Sequence, residues 1–153
     1  MGKAIVTAKP GESVIHIERK FDAPKDKLFA AMTQKDKVAK WWQDVEIAEL
    51  DLREGGQWRF VQKTDDGQEF VFFGVYHEIA PAERVVQTFE FSGLPERGHV
   101  IMEKMELSEE DGKTTLRVVQ TFFSVEDRDG MLQSGMEGGM NASYDRLEAL
   151  VQG

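Results

Sequence analysis

The chain has 153 residues, is 41% hydrophobic, contains no cysteine and carries a formal net charge of -9. Its length and apolar content suit one globular domain with a core of its own, and the missing cysteines exclude disulfides, thiolate nucleophiles and cysteine metal sites. Such an acidic chain repels a phosphate backbone, so no nucleic-acid partner is expected.

The opening MGKAIVTAKPGESV has no apolar h-region of signal-peptide length, and no run approaches the ~20 apolar residues of a membrane span. A cytoplasmic protein without a membrane span is the expectation. SVIHIERKF, from Ser13 to Phe21, alternates with Ile15, Ile17 and Phe21 on one side and His16, Glu18 and Lys20 on the other, the period of a half-buried strand. DAPKDKLFAAMTQ then predicts a helix, with Asp22 as its cap, Pro24 in the first turn, and Leu28, Phe29 and Met32 on one face. KDKVAKWW predicts a second short helix from about Lys35 to Trp42.

Beyond that pair the helical period gives way to six strands, Val45–Leu52, Gln57–Thr64, Glu69–Ile79, Arg84–Ser92, His99–Ser108 and Lys113–Phe123. The connectors REGGQ, TDDGQ, APAE, SGLPERG and EEDGK are short and rich in turn-forming residues, which predicts an antiparallel meander. A helical period returns with Leu132, Met136, Met140, Tyr144, Leu147 and Val151 on one face, interrupted near Gly130 and continuous from about Leu132. GMEGGMNASYDRLEALV is glycine-rich for a closing helix, although each internal glycine costs roughly 0.5–1 kcal/mol. Either the small residues Gly135 and Gly139 keep space open beneath the helix, with methionines lining it, or they let helix and sheet pack closely.

Chemistry is sparse in this pattern. His16, His77 and His99 lie on different predicted strands without metal-type spacing, and no G-x-S-x-G elbow is present. REGGQW lacks the helix and the Lys-Ser/Thr pair of a phosphate loop and reads as a hairpin turn. Glu78 in YHEIAP is the carboxylate placed to point inward if Phe72, Gly74 and Tyr76 share the concave face; otherwise it pairs with an arginine or meets solvent beside a bulge. No metal and no cofactor are expected, and no catalytic residue is assigned.

FDAPKDKLFAAMTQKDKVAKWW, DLREGGQWRF, FFGVYHEIAPAERVVQTFEF, DGKTTLRVVQTFF and GMEGGMNASYDRLEALV, in that order, resemble the helix-grip or START-like (SRPBCC) superfamily. Within it the similarity is to the branch named after the activator of the ninety-kilodalton heat-shock-protein ATPase. The family's recurrent positions fall on Trp42, Gly55, Gly56, Trp58, Phe60, Gly74, Tyr76, Ile79, Pro81, Gly135, Met136, Gly139 and Leu147. The resemblance implies an α+β helix-grip fold: a curved seven-stranded antiparallel sheet wrapped around a long C-terminal helix, with two short helices between strands 1 and 2 and a cavity beneath the helix. It also implies a single START-like domain over residues 1–153, with an ordered core at about 13–151. The namesake co-chaperones carry a separate amino-terminal domain, which this chain is expected to lack.

Binding of a small hydrophobic or amphipathic molecule, lipids included, is the favoured function, with Trp42, Trp58, Phe60, Phe72, Tyr76, Met105, Met136, Met140 and Tyr144 as the ligand-binding set. The alternatives are a cavity enzyme of the cyclase, dehydratase or hydrolase type, which needs convergent titratable groups, and a chaperone-associated stress protein. A homodimer and a chaperone partner stay open.

Overall fold

The computed structural model describes residues 3–42 and 44–152. In chain order its elements are β1 (Ile5–Thr7), β2 (Val14–Phe21), α1 (Lys25–Thr33), α2 (Lys35–Trp41), β3 (Val45–Leu50), β4 (Gln57–Lys63), β5 (Glu69–Ala80), β6 (Arg84–Phe91), β7 (Ile101–Glu110), β8 (Lys113–Thr121), α3 (Val125–Gln133) and α4 (Met136–Gln152). The strands form one antiparallel sheet in the order β1-β2-β8-β7-β6-β5-β4-β3. The meander therefore runs from β3 to β8, and β2 closes it by pairing with β8, Ile17 opposite Val118. The helices α1 and α2 carry the chain from β2 across to the far edge at β3.

Eight strands stand where the alternation predicts seven. The additional one, β1, spans three residues, too few to show a period, and its strand geometry comes from pairing Ile5 with Glu18 and Thr7 with His16. Ordered structure thus begins ahead of residue 13, and the Ala4 amide donates to Asn141 Oδ1 of α4 at 2.9 Å.

Helix ends differ from expectation at two places. Asp22 does not cap α1: that helix begins three residues later, with Pro24 at the cap and no side-chain hydrogen bond to it. The Lys25 amide instead donates to Glu109 Oε1 at 2.8 Å. At the other end of the chain, the helical run from Leu132 is broken at Gly135 rather than near Gly130, which stays inside α3. Gly135 has φ +83°, the left-handed geometry that terminates a helix and that glycine adopts without a Cβ clash. Ser124 opens α3 by accepting from the Asp127 amide at 3.0 Å, and the buried Arg128 ties α3 to the β1–β2 turn by donating to the Lys9 carbonyl at 2.7 Å.

The closing helix α4 docks through its C-terminal half. Its buried residues are Leu147, Glu148 and Val151, while Met136 and Met140 remain partly exposed. Arg19, itself only 3% exposed on β2, donates to Asp145 Oδ1 at 3.0 Å and to Glu148 Oε1 at 3.1 Å, and its guanidinium lies 4.8 Å from the Phe21 ring centre. The second Glu148 oxygen accepts from the Asp22 amide at 2.8 Å, and Arg146 Nε donates to the Trp41 carbonyl at 3.0 Å.

Leu147 is fully buried, so Leu147→Ala should cost about 2–5 kcal/mol in denaturant unfolding, through lost burial and an unfilled space. A loss below about 1 kcal/mol would place the core elsewhere. Gly139 within α4 and Gly135 between α3 and α4 should respond oppositely. Gly139→Ala meets no atom within 4 Å and should gain about 0.5–1 kcal/mol of helix propensity, whereas Gly135→Ala forces a Cβ into the left-handed region and should lose about 1–2 kcal/mol. Paired thermal melts of the two variants check the signs.

Candidate functional site

Strand alternation decides what faces α4. On β4 the inward residues are Trp58 and Phe60; on β5, Phe72 and Tyr76; on β6, Val85, Gln87 and Phe89; on β7, Ile101, Glu103, Met105 and Leu107; on β8, Val118 and Gln120. With Phe29 and Met32 of α1, Trp42 just past α2, and Met136, Met140 and Tyr144 of α4, they enclose a cavity of about 930 Å³. All nine residues predicted for a ligand site, Trp42, Trp58, Phe60, Phe72, Tyr76, Met105, Met136, Met140 and Tyr144, lie on its wall.

Aromatic rings make up the β4–β6 side. Trp42 packs 5.0 Å from Phe60, 5.7 Å from Phe72 and 6.5 Å from Trp58, and Phe89 continues the wall 5.7 Å from Trp58. Gly74, opposite Trp58, makes this packing feasible. A Cβ at position 74 would lie 1.9 Å from the Thr88 carbonyl oxygen and 2.9 Å from Trp58 Nε1, so only glycine lets strand and indole approach so closely.

Glu78 is not part of the site. A register shift between Tyr76 and Glu78 reverses the phase of β5, so Tyr76 opposite Gln87 and Ile79 opposite Val85 both face inward while Glu78 turns outward. There it receives Arg84 Nε at 2.7 Å and Nη2 at 3.0 Å, which holds its carboxyl below the usual range. His16 and His77 are exposed on the outer face.

The polar centre of the cavity is one that the aromatic pattern did not reveal. Gln87, Glu103 and Gln120 stand directly opposite one another on the adjacent strands β6, β7 and β8. Gln87 Nε2 donates to Glu103 Oε1 at 3.0 Å and Gln120 Nε2 to Oε2 at 2.7 Å. All three are at least nine-tenths buried, and the next inward rank, Val85, Met105 and Val118, is apolar. Burial pushes the Glu103 carboxyl up, against the pull of the two amides. Burial also pushes up the phenols of Tyr76, to about 12, and of Tyr144, the latter with added repulsion from Glu103. Both phenols are therefore protonated donors at neutral pH. The signal for this rank was present in the sequence: Glu103 interrupts the inward series Ile101, Met105, Leu107, as Gln120 interrupts Leu116, Val118, Phe122.

The cavity reaches solvent between the β6–β7 connection and the α3–α4 corner, where Leu94, Pro95, Glu96, Gly130 and Gly139 line it and are exposed. His99 spans this mouth, its Nδ1 3.0 Å from Asp127 Oδ2 and its Nε2 3.7 Å from Glu96 Oε2. The bond to Asp127 holds the imidazole pKa above its ordinary value.

The family described as activator of Hsp90 ATPase homolog 1-like protein matches residues 22–152. The chain belongs to that family. No protein of curated function matches it. Among solved structures, it is similar to a Rhodobacter sphaeroides protein at 20% identity and TM-score 0.86, with 99% of each chain covered. A Mycobacterium smegmatis protein follows at 19% identity and TM-score 0.82, covering 96% of this chain and 97% of the other. An Arthrobacter aurescens protein gives 18% identity and TM-score 0.86, covering 97% and 91%. At these identities the shared property is the fold, the START-like helix grip. No helix among the described residues is long and apolar enough to cross a membrane.

Glu103 sets a pH dependence. Unfolded, it titrates near the ordinary glutamate value of roughly 4.3; folded, its pKa is raised, so the native state binds more protons between the two values. Its contribution to stability is complete below the unfolded pKa and is lost as pH rises through the folded one. Glu103→Gln abolishes this loss. The variant should be more stable than the parent at neutral pH, with the difference growing as pH rises through that window in a series of unfolding curves. Parallel stability–pH profiles for the two proteins would contradict it.

Proposed function

We propose that this protein binds a small hydrophobic or amphipathic molecule in the cavity between the sheet and α4. The observation that carries the reading is the cavity of about 930 Å³, of ligand-site size, walled by Trp, Phe, Tyr and Met side chains with one convergent polar rank at its floor. In this reading Trp42, Trp58, Phe60, Phe72, Tyr76 and Met105 contact the apolar body of the ligand from the sheet side. Met136, Met140 and Tyr144 cover it from α4.

A cavity enzyme of the cyclase, dehydratase or hydrolase type is the second reading, and Glu103 favours it, since a buried carboxyl of raised pKa is a candidate acid or base. Binding is preferred because the nearby phenol of Tyr144, pushed up by burial, is too weak an acid to serve as partner to Glu103. A chaperone-associated role rests on the family's name alone.

Titration with the neutral fluorophore phenylnaphthylamine tests the binding reading. Saturable one-to-one enhancement, with energy transfer from the wall tryptophans, is expected. Gly139→Phe should weaken it about tenfold, near 1.4 kcal/mol, because the ring meets open space at a cavity-lining position. A folded parent protein without saturable enhancement would overturn the reading.

A further inference from the structure

The polar rank at the cavity floor has more acceptors than donors. A carboxylate offers about four lone-pair sites, and the two glutamine amides donate one hydrogen bond to each Glu103 oxygen. Gln120 Oε1 is buried with no hydrogen-bond partner among the described residues. No Lys or Arg within ion-pairing distance of Glu103 occurs among those residues either, and Arg84, which also lines the cavity, has its guanidinium on Glu78. A buried carboxylate left without a cation, next to a buried carbonyl left without a donor, is a costly arrangement in an apolar enclosure.

We propose that Gln87, Glu103 and Gln120 form the recognition site for an ammonium head group, so that the ligand class is an amphipathic amine with an apolar body. The proposal rests on the cavity being a binding site. An ammonium brings several N–H donors and one positive charge, which match the spare lone pairs of Glu103, the vacant Gln120 Oε1 and the negative charge that Glu103 carries once ionised. A carboxylate ligand would set like charges together, and an alcohol would bring a single donor and no charge. Tyr76 faces Gln87 across the β5–β6 pair, adding ring surface of the kind that attracts cations. The mouth carries three carboxylates, two of which, Glu96 and Asp127, pair with His99. Glu96, Glu126 and Asp127 all line it, and a chain of net charge -9 draws cations toward such an opening.

The test is displacement of phenylnaphthylamine by three ligands sharing one twelve-carbon tail, dodecylammonium, dodecanol and dodecanoate, at about pH 8, where the amine is still charged. Dodecylammonium should bind at least about tenfold more tightly than dodecanol, as expected for hydrogen bonds to a charged group, with dodecanoate weakest. Glu103→Gln, which keeps the side-chain shape but removes the charge and replaces one acceptor oxygen with a donor amide, should bring the ammonium down to the level of the alcohol. This comparison separates the rank from the general attraction of an acidic protein for cations. Dodecanol or dodecanoate binding as tightly as the amine would overturn the ammonium assignment while leaving the cavity a binding site. Survival of the preference in Glu103→Gln would overturn it too, by placing the ammonium elsewhere. Failure of all three ligands, and of the fluorophore itself, would remove the binding reading and this inference with it.

Discussion

The architecture depends on how α4 is anchored toward its C-terminal end. Leu147 and Val151 enter the core, and Glu148 is gripped by Arg19 and by the Asp22 amide, all within the last part of the helix. Arg19 occupies an inward position between Ile17 and Phe21, where an aliphatic residue would pack more simply. A buried ion pair of this kind contributes little net stability, because the desolvation of both groups offsets their attraction. It does, however, specify a position: the carboxylates of Asp145 and Glu148 can meet one guanidinium in one register of helix against strand. With that end located, Met136, Met140 and Tyr144 of the helix line the cavity opposite the sheet.

The same space decides what the central strands can carry. On a sheet covered by a close-packed helix, a rank of Gln, Glu and Gln on the inner face would be sealed from any partner outside the protein. Here it opens onto a cavity that continues to the mouth near His99. The three side chains satisfy one another only in part, leaving Gln120 Oε1 without a donor. A carboxyl whose pKa is raised by burial is held at some expense to stability above its unfolded pKa. Val85, Met105 and Val118 in the neighbouring rank show what an ordinary core would have placed on these strands.

Much of this was legible in the sequence, for an identifiable reason. Strand alternation and short polar turns are local properties, so β2 through β8 fall where the pattern places them, and the aromatic wall follows from faces that alternate without interruption. The failures are non-local or come from a change of phase. β1 takes its form from β2, and three residues carry no period of their own. Glu78 would point inward on a regular β5, but the shift after Tyr76 turns it out to Arg84. Gly135 resembles the neighbouring helix glycines in sequence, and only its φ of +83° shows that it ends α3. Glu103 was equally accessible to alternation, yet its role emerges only from the register that sets it between Gln87 and Gln120, and register is a property of paired strands.

The cavity wall divides into two kinds of surface. The sheet side consists of rings packed against rings, on strands hydrogen-bonded to both neighbours, with the polar rank held by cross-strand bonds at 2.7 and 3.0 Å. Little there can rearrange without breaking the ladder. The helical side carries Met32, Met131, Met136 and Met140, unbranched side chains that fill irregular space at small energetic cost. Gly138 and Gly139, with nothing within 4 Å of where a Cβ would stand, leave the N-terminal half of α4 thinly built. Under the proposed binding of an amphipathic amine, head-group chemistry is read by the rigid side, while variation in the shape or length of the apolar body is absorbed by the methionines. This division favours strict selection of the polar group and tolerance toward the tail.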